Sequence, residues 1–172
     1  TNVSNEGIII GDTDGDWIIE DTVVRQAGRI GINGEQLNAS SDPIIRNTTV
    51  SGAGRGIEMS KSQGDWKISN STVANIARSG VYASESMGGG TIQQLSVTNA
   101  SNGIVFYNSS GDFTLSGATI TDSGDGVDVT QSTGDWLITS SRFHNISNNA
   151  VIGESTAGNW TVKDTTITGS QD

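Results

Sequence analysis

A three-residue mark, Gly-Asp-aromatic, returns along the chain at a nearly fixed interval. It occurs as Gly15-Asp16-Trp17, Gly64-Asp65-Trp66, Gly111-Asp112-Phe113 and Gly134-Asp135-Trp136, with Gly158-Asn159-Trp160 as a variant. Asp42-Pro43 and Gly90 occupy the same slot in two further repeats. With the aromatic position as zero, the repeats start near 17, 43, 66, 90, 113, 136 and 160, at spacings of 26, 23, 24, 23, 23 and 24 residues. A period of 20–50 residues signals a solenoid or a propeller, so it is read before any single element.

Within each repeat the aliphatic positions recur. Two residues past zero stand Ile19, Ile45, Ile68, Ile92, Leu115, Ile138 and Val162. Seven past zero stand Val24, Val50, Val73, Val97, Ile120, Phe143 and Ile167. Further on comes a small residue followed by an aliphatic: Gly31-Ile32, Gly56-Ile57, Gly80-Val81, Gly103-Ile104, Gly126-Val127 and Ala150-Val151, with Gly7-Ile8 in a partial first repeat. Each repeat thus holds three short β-branched runs divided by Gly, Asn and Asp. Side chains alternate faces along a strand, so each run can turn only one or two residues inward, too few for a core. Stacked at about 4.8 Å, equivalent aliphatics pile into ladders and each layer hydrogen-bonds the next.

The expectation is an all-β, single-stranded, right-handed parallel β-helix of about seven coils, three short strands per coil, forming one domain over residues 1–172. Seven coils make a rod on the order of 34 Å long. No apolar stripe of period 3.6 persists, which excludes a helical solenoid. Propeller blades need about 40 residues, and the Leu/Asn signature of leucine-rich repeats is absent.

The repeat aromatic-x-Ile-x-x-Ser/Thr-Thr-Val-x-x-Ala-x-x-Gly-Ile-x-Val resembles the parallel β-helix repeats of the pectate-lyase-like superfamily, and in particular NosD-like surface proteins. The resemblance spans the whole chain and is specific for fold. It implies little about activity, because that superfamily includes lyases, hydrolases, adhesins and non-enzymatic scaffolds.

Charge and composition narrow the function. The net charge is −10, with 19 acidic residues against 9 basic ones. Such a surface excludes nucleic acid, which needs a basic face, and disfavours anionic membranes. Asp outnumbers Glu and only Lys61, Lys67 and Lys163 are lysines, a balance like that of proteins from salt-rich habitats. There is no Cys, hence no disulfide or thiolate chemistry. No apolar run is long enough for a membrane helix, so membrane insertion by this segment is not expected. The chain opens at Thr1 without a signal-peptide pattern and reads as a mature product or an excised piece. Asn-x-Ser/Thr sequons begin at Asn2, Asn38, Asn47, Asn70, Asn99, Asn108, Asn145 and Asn159. They make these asparagines candidate glycosylation sites on an extracellular or cell-surface protein, although polar turns in a repeat place Asn near Thr in any case.

Five groups of residues could carry chemistry. Asp12, Asp14 and Asp16 alternate and suit a hard cation, so calcium is possible, but the EF-hand register fails. No cofactor is otherwise required. Asp16, Asp42, Asp65, Asp112 and Asp135 form a ladder, each expected to cap its own turn through backbone N–H groups. Arg29, Arg55 and Arg78 lie twelve residues past zero in consecutive coils. Their planar guanidinium groups could bind an acidic sugar, or could simply pair with Glu35, Glu58 and Glu85. Trp17, Trp66, Phe113, Trp136 and Trp160 share a face with the inward aliphatics and are expected to stack internally rather than on a sugar. Thr49-x-Ser51, Ser96-x-Thr98, Thr119-x-Thr121 and Thr166-x-Thr168 form a hydroxyl face interrupted by Arg25, Ala74 and His144.

No catalytic residues are assigned. Asp122, Asp125 and Asp128 are the only dense acidic cluster outside the turns, without a basic partner, and short coils leave no long loops to wall a cleft. No terminal cap is evident, and the first and last partial repeats together make about one coil. The leading expectation is a non-enzymatic extracellular or cell-surface module that stacks end to end with copies of itself into a filament or appendage. The alternative is a carbohydrate-binding or carbohydrate-processing module, with glycans as partners.

Overall fold

A computed structural model describes residues 5–39 and 41–169. Every assigned element is a β-strand, no helix occurs among the described residues, and every strand pairing is parallel. The chain winds as a parallel β-helix of about seven turns, as its period predicts. One face is a seven-stranded sheet made by Ile18–Glu20, Ile44–Arg46, Trp66–Ser69, Gly90–Gln93, Phe113–Ser116, Trp136–Thr139 and Trp160–Lys163. The other two faces join into a twelve-stranded sheet.

The aliphatic ladders are continuous. Ile19 sits over Ile45, then Ile68, Ile92, Leu115, Ile138 and Val162 in unbroken register. The first six are buried. Val24, Val50, Val73, Val97, Ile120 and Phe143 form the second column. Ile8, Ile32, Ile57, Val81, Ile104, Val127 and Val151 form the third. The small residue before each third-column aliphatic is dictated by space. A Cβ at Gly56 would lie 2.4 Å from the Gly80 carbonyl oxygen and 2.4 Å from Val73 Cγ1.

The structure departs from three short strands per coil at two places. Thr72–Ser84 and Ser96–Tyr107 each run unbroken through the second and third faces. Their shared corner bends without breaking the ladder. Asn75 and Asn99 adopt φ of 56° there, and the register shifts between Ala100 and Asn102.

The corners share a rule that lies below the resolution of the sequence reading. At the first corner Asp21, Asn47, Asn70, Gln94, Gly117, Ser140 and Asp164 all have φ between 48° and 62°. The second corner repeats this at Gln26, Gly52, Asn75, Asn99, Asp122, Asn145 and Gly169, and the third at Asp12, Gln36, Lys61, Glu85, Asn108, Gln131 and Ser155. Left-handed backbone costs most L-residues about 1–2 kcal/mol, and Gly, Asn and Asp bear it best. At the first and third corners the next residue is usually Ser or Thr, and several of these are buried. Ser71 Oγ donates to the Ser69 carbonyl at 2.8 Å and accepts the Thr48 N–H of the preceding coil at 3.2 Å. Ser109 and Ser132 repeat the pattern.

The aromatic slot packs inward as expected. Phe106 lies 5.9 Å from Trp66, 4.2 Å from Phe113 and 5.1 Å from Trp136 between ring centroids. The indole N–H groups of Trp66 and Trp136 are buried with no acceptor among the described residues. An orphaned buried donor costs about 1–3 kcal/mol. Trp136→Ala removes that donor but leaves a large cavity in the core, and should destabilise by about 3–5 kcal/mol. Trp136→Phe, which copies its register partner Phe113 and removes the orphaned donor, should cost under about 1.5 kcal/mol. Urea unfolding followed by circular dichroism measures both.

Candidate functional site

Three of the arginines gather at a cleft beside the corner that enters the third face. Gly28, Arg29, Ile30, Glu35, Gly54, Arg55, Glu58 and Arg78 line it, and its volume is about 550 Å³. Arg29, Arg55 and Arg78 are brought together as their spacing implies. Arg55 N–H donates to the Arg29 carbonyl at 2.8 Å, and Arg78 N–H donates to the Gly54 carbonyl at 2.8 Å. The climb is not perfectly vertical, because Arg55 pairs in register with Ile30.

Their partners differ from the simple local scheme. Arg29 pairs with Glu6 of the preceding coil at 2.5 Å, not with Glu35. Glu6 is buried, and its Oε2 has no partner among the described residues. Arg55 does pair with Glu58, at 2.9 Å, and its guanidinium carbon lies 3.8 Å from the centre of the Tyr82 ring. Ser60 Oγ donates to the other Glu58 oxygen at 3.2 Å. Glu35 instead receives Lys61 at 3.3 Å. Arg78 is exposed and its side chain has no partner among the described residues.

The aspartate ladder works between coils rather than within a turn, which corrects the expectation that each caps its own. Asp42 N–H donates to Asp16 Oδ1 at 2.7 Å, Gly89 N–H to Asp65 Oδ1 at 2.6 Å and Asp135 N–H to Asp112 Oδ1 at 2.8 Å. Asp135 Oδ1 accepts both the backbone N–H and the side-chain amide of Asn159, at 2.9 and 3.0 Å. The carboxylates of Asp16, Asp65, Asp112 and Asp135 therefore each tie their coil to the following one. Sequence spacing marked the ladder but could not show which coil's amide would face it.

Asp12, Asp14 and Asp16 do not converge. Asp12 forms a left-handed corner, Asp14 accepts the Asn38 amide, and Asp16 is engaged with Asp42. No group of three or more His, Cys, Asp or Glu among the described residues is arranged to hold a metal ion. Asp122, Asp125 and Asp128 are likewise taken up singly, by Asn145, by Asn102 with Asn149, and by Thr130. His144 is exposed, with Nδ1 3.0 Å from Thr168 Oγ1. On the hydroxyl face, Thr98 and Thr121 oxygens lie 3.2 Å apart.

Asn2 lies outside the described residues. The other seven sequon asparagines are exposed. Asn47, Asn70, Asn99, Asn108 and Asn145 are left-handed corner residues, so corner geometry accounts for Asn at these five positions.

Fold and repeat together define a parallel β-helix repeat protein. A family model described as "Periplasmic copper-binding protein (NosD)" matches residues 1–171, and the chain belongs to that family. The family's periplasmic description agrees, at the coarse level of lying outside the cytoplasm, with the surface location expected from the sequence. No curated protein matches the chain.

The copper of the family description does not fit the residues present. Copper sites draw on imidazole, thiolate and thioether ligands, and this chain has one His, two Met and no Cys. Met59 is buried in the core, Met87 is exposed, and His144 lies on a different face several coils away. Titration with Cu(II), or with Cu(I) under a competing chelator, should therefore show no stoichiometric binding that His144→Ala abolishes.

Hydrogen bonds from Asn159, the backbone bond foremost, hold the exposed Asp135 carboxyl below its ordinary value. A group whose folded pKa is depressed contributes stability that is fully present above the unfolded value and lost as pH falls through the folded one. A carbon-detected titration should place the Asp135 midpoint below about 3.9, the usual Asp value. Asn159→Ala, which removes the side-chain bond and keeps the backbone one, should raise that midpoint only in part.

Proposed function

We infer that the chain works as a non-enzymatic extracytoplasmic rod module that lengthens by stacking head to tail with copies of itself. One observation carries this reading. Val162 and Ile167 belong to the two inward columns, yet each is 47% exposed, whereas their equivalents in the preceding coils are buried. Among the described residues nothing covers this coil, and an apolar face with open strand edges favours addition of another β layer.

The partner that best matches this surface is a second copy. The coil at this face supplies first-face and second-face strands, Trp160–Lys163 and Thr166–Thr168, above the third-face strand Val151–Glu154. At the opposite face the described chain begins with a third-face strand, Ile8–Gly11. Set on top of another copy, Ile8–Gly11 would fill the third-face position over Val151–Glu154 and complete a coil. In that arrangement the two steps would fit one another, and a heterologous contact that does not close produces a filament. Exposed sequon asparagines without side-chain bonds to neighbours, such as Asn47, Asn70 and Asn108, would carry glycans on the rod's flank.

Sedimentation velocity and electron microscopy test this on the purified chain. Expected are concentration-dependent rods, which Val162→Asp with Ile167→Asp disperses to monomer while the β-sheet circular dichroism persists. A discrete monomer at every concentration overturns the reading. So does a longer native polypeptide whose own continuing coils cover Val162 and Ile167.

A further inference from the structure

We propose that the cleft of Arg29, Arg55 and Arg78 binds a uronic-acid-containing saccharide, with the carboxylate held by guanidinium forks and the hydroxyls by the cleft's acceptors. The chain carries six arginines on a surface of net charge −10, and three of them line this single cleft. On so acidic a rod, a local cluster of arginines is a focus for anions. Each guanidinium offers five donors in a planar fork suited to carboxylate. Glu6 engages Arg29 through one terminal nitrogen and Glu58 engages Arg55 through another, which leaves further donors on both. Arg78 is exposed and has no side-chain partner among the described residues, so its whole fork is available.

The mixed lining selects the ligand. Glu35 and Glu58 share the cleft with the arginines. A compact, highly charged anion such as phosphate meets repulsion from those carboxylates. A sugar acid does not, because it presents one dispersed carboxylate together with hydroxyl donors that Glu35 and the main-chain carbonyls can accept. The volume of about 550 Å³ lies within the range that small-molecule clefts occupy. Arg55 is held from two sides, by Glu58 and by the Tyr82 ring, so part of the site is preorganised.

Calorimetry and chemical-shift titration on the purified chain test this with four probes: a uronic-acid trisaccharide, its methyl ester, a neutral trisaccharide of the same linkage, and inorganic phosphate. The acid should bind saturably, more weakly as salt rises, and shift the Arg29, Arg55 and Arg78 resonances. The ester and the neutral sugar should bind at least about tenfold more weakly, the loss expected from one charge-assisted contact. Arg78→Ala should lose a similar factor, and Arg78→Lys should recover only part of it because lysine lacks the fork. Arg142→Ala, on another face, should leave binding unchanged. The proposal is overturned if the acid shows no saturable binding, if the ester binds equally, if phosphate binds as tightly as the acid, or if folded Arg78→Ala and Arg78→Lys both bind like the parent chain.

Discussion

Everything in this molecule depends on the hydrogen bonds that each coil makes to its neighbours. No coil holds enough apolar surface to fold alone, and among the described residues no strand pairs within its own turn. Parallel pairing in register, Ile45 over Ile68 over Ile92, is what turns one or two inward side chains per strand into a closed interior. The side chains serve the same axis. Asp16, Asp65, Asp112 and Asp135 reach to the next coil's amides. Ion pairs climb in the same way, from Glu6 to Arg29, Glu20 to Arg46 and Glu35 to Lys61. The exposed pairs, Glu20 with Arg46 and Glu35 with Lys61, are worth little singly, so their consistent direction matters for register more than for stability.

The sequence made the columns legible because burial filters them hard. A polar residue in the Ile68 position would leave an unsatisfied group in a dry interior, so the period survives in the aliphatics. The corners were harder to read. Left-handed backbone can be met by Asn, Asp or Gly at low cost, yet Lys61, Glu85 and Gln131 also adopt it. A feature imposed by geometry rather than by side-chain chemistry leaves a blurred trace. The buried serines beside the corners were illegible for a related reason. Ser71 and Ser109 look like ordinary turn residues until the preceding coil's amide is placed against them. The merging of two strands at Asn75 and Asn99 likewise depends on how far the ladder carries through a bend, which composition does not encode.

The cleft divides along the same line. Its arginines were visible because three consecutive coils keep one spacing. Their partners were not, since the Glu6 that meets Arg29 lies 23 positions away and belongs to another coil. Sequence proximity favours Glu35, and a solenoid inverts that logic: residues one period apart are stacked in contact, so Arg29 meets Glu6 while Glu35, though it lines the same cleft, receives Lys61 of the following coil. The same inversion explains why Asp12, Asp14 and Asp16, at alternate positions in the chain, form no ligand cluster among the described residues.

A repeat protein is most informative where it stops repeating. The aliphatic columns that persist through every coil, and the cross-coil bonds of Asp16, Asp65, Asp112 and Asp135, are explained by the need to stack. The arginine column is not: it runs for three coils and then gives way to Asn102 and Asp125, which hydrogen-bond each other at 3.2 Å and hold the same corner without a positive charge. Stacking is therefore satisfied without arginine, and Arg78, whose side chain has no partner among the described residues, adds only cost to an isolated fold through the ordering of a long side chain. Membership of a family described as copper-binding does not account for these residues either, since guanidinium groups do not ligate metals and the chain lacks the soft donors copper prefers. What remains is a positive interval on a negative rod, positioned by the ladder but not required by it.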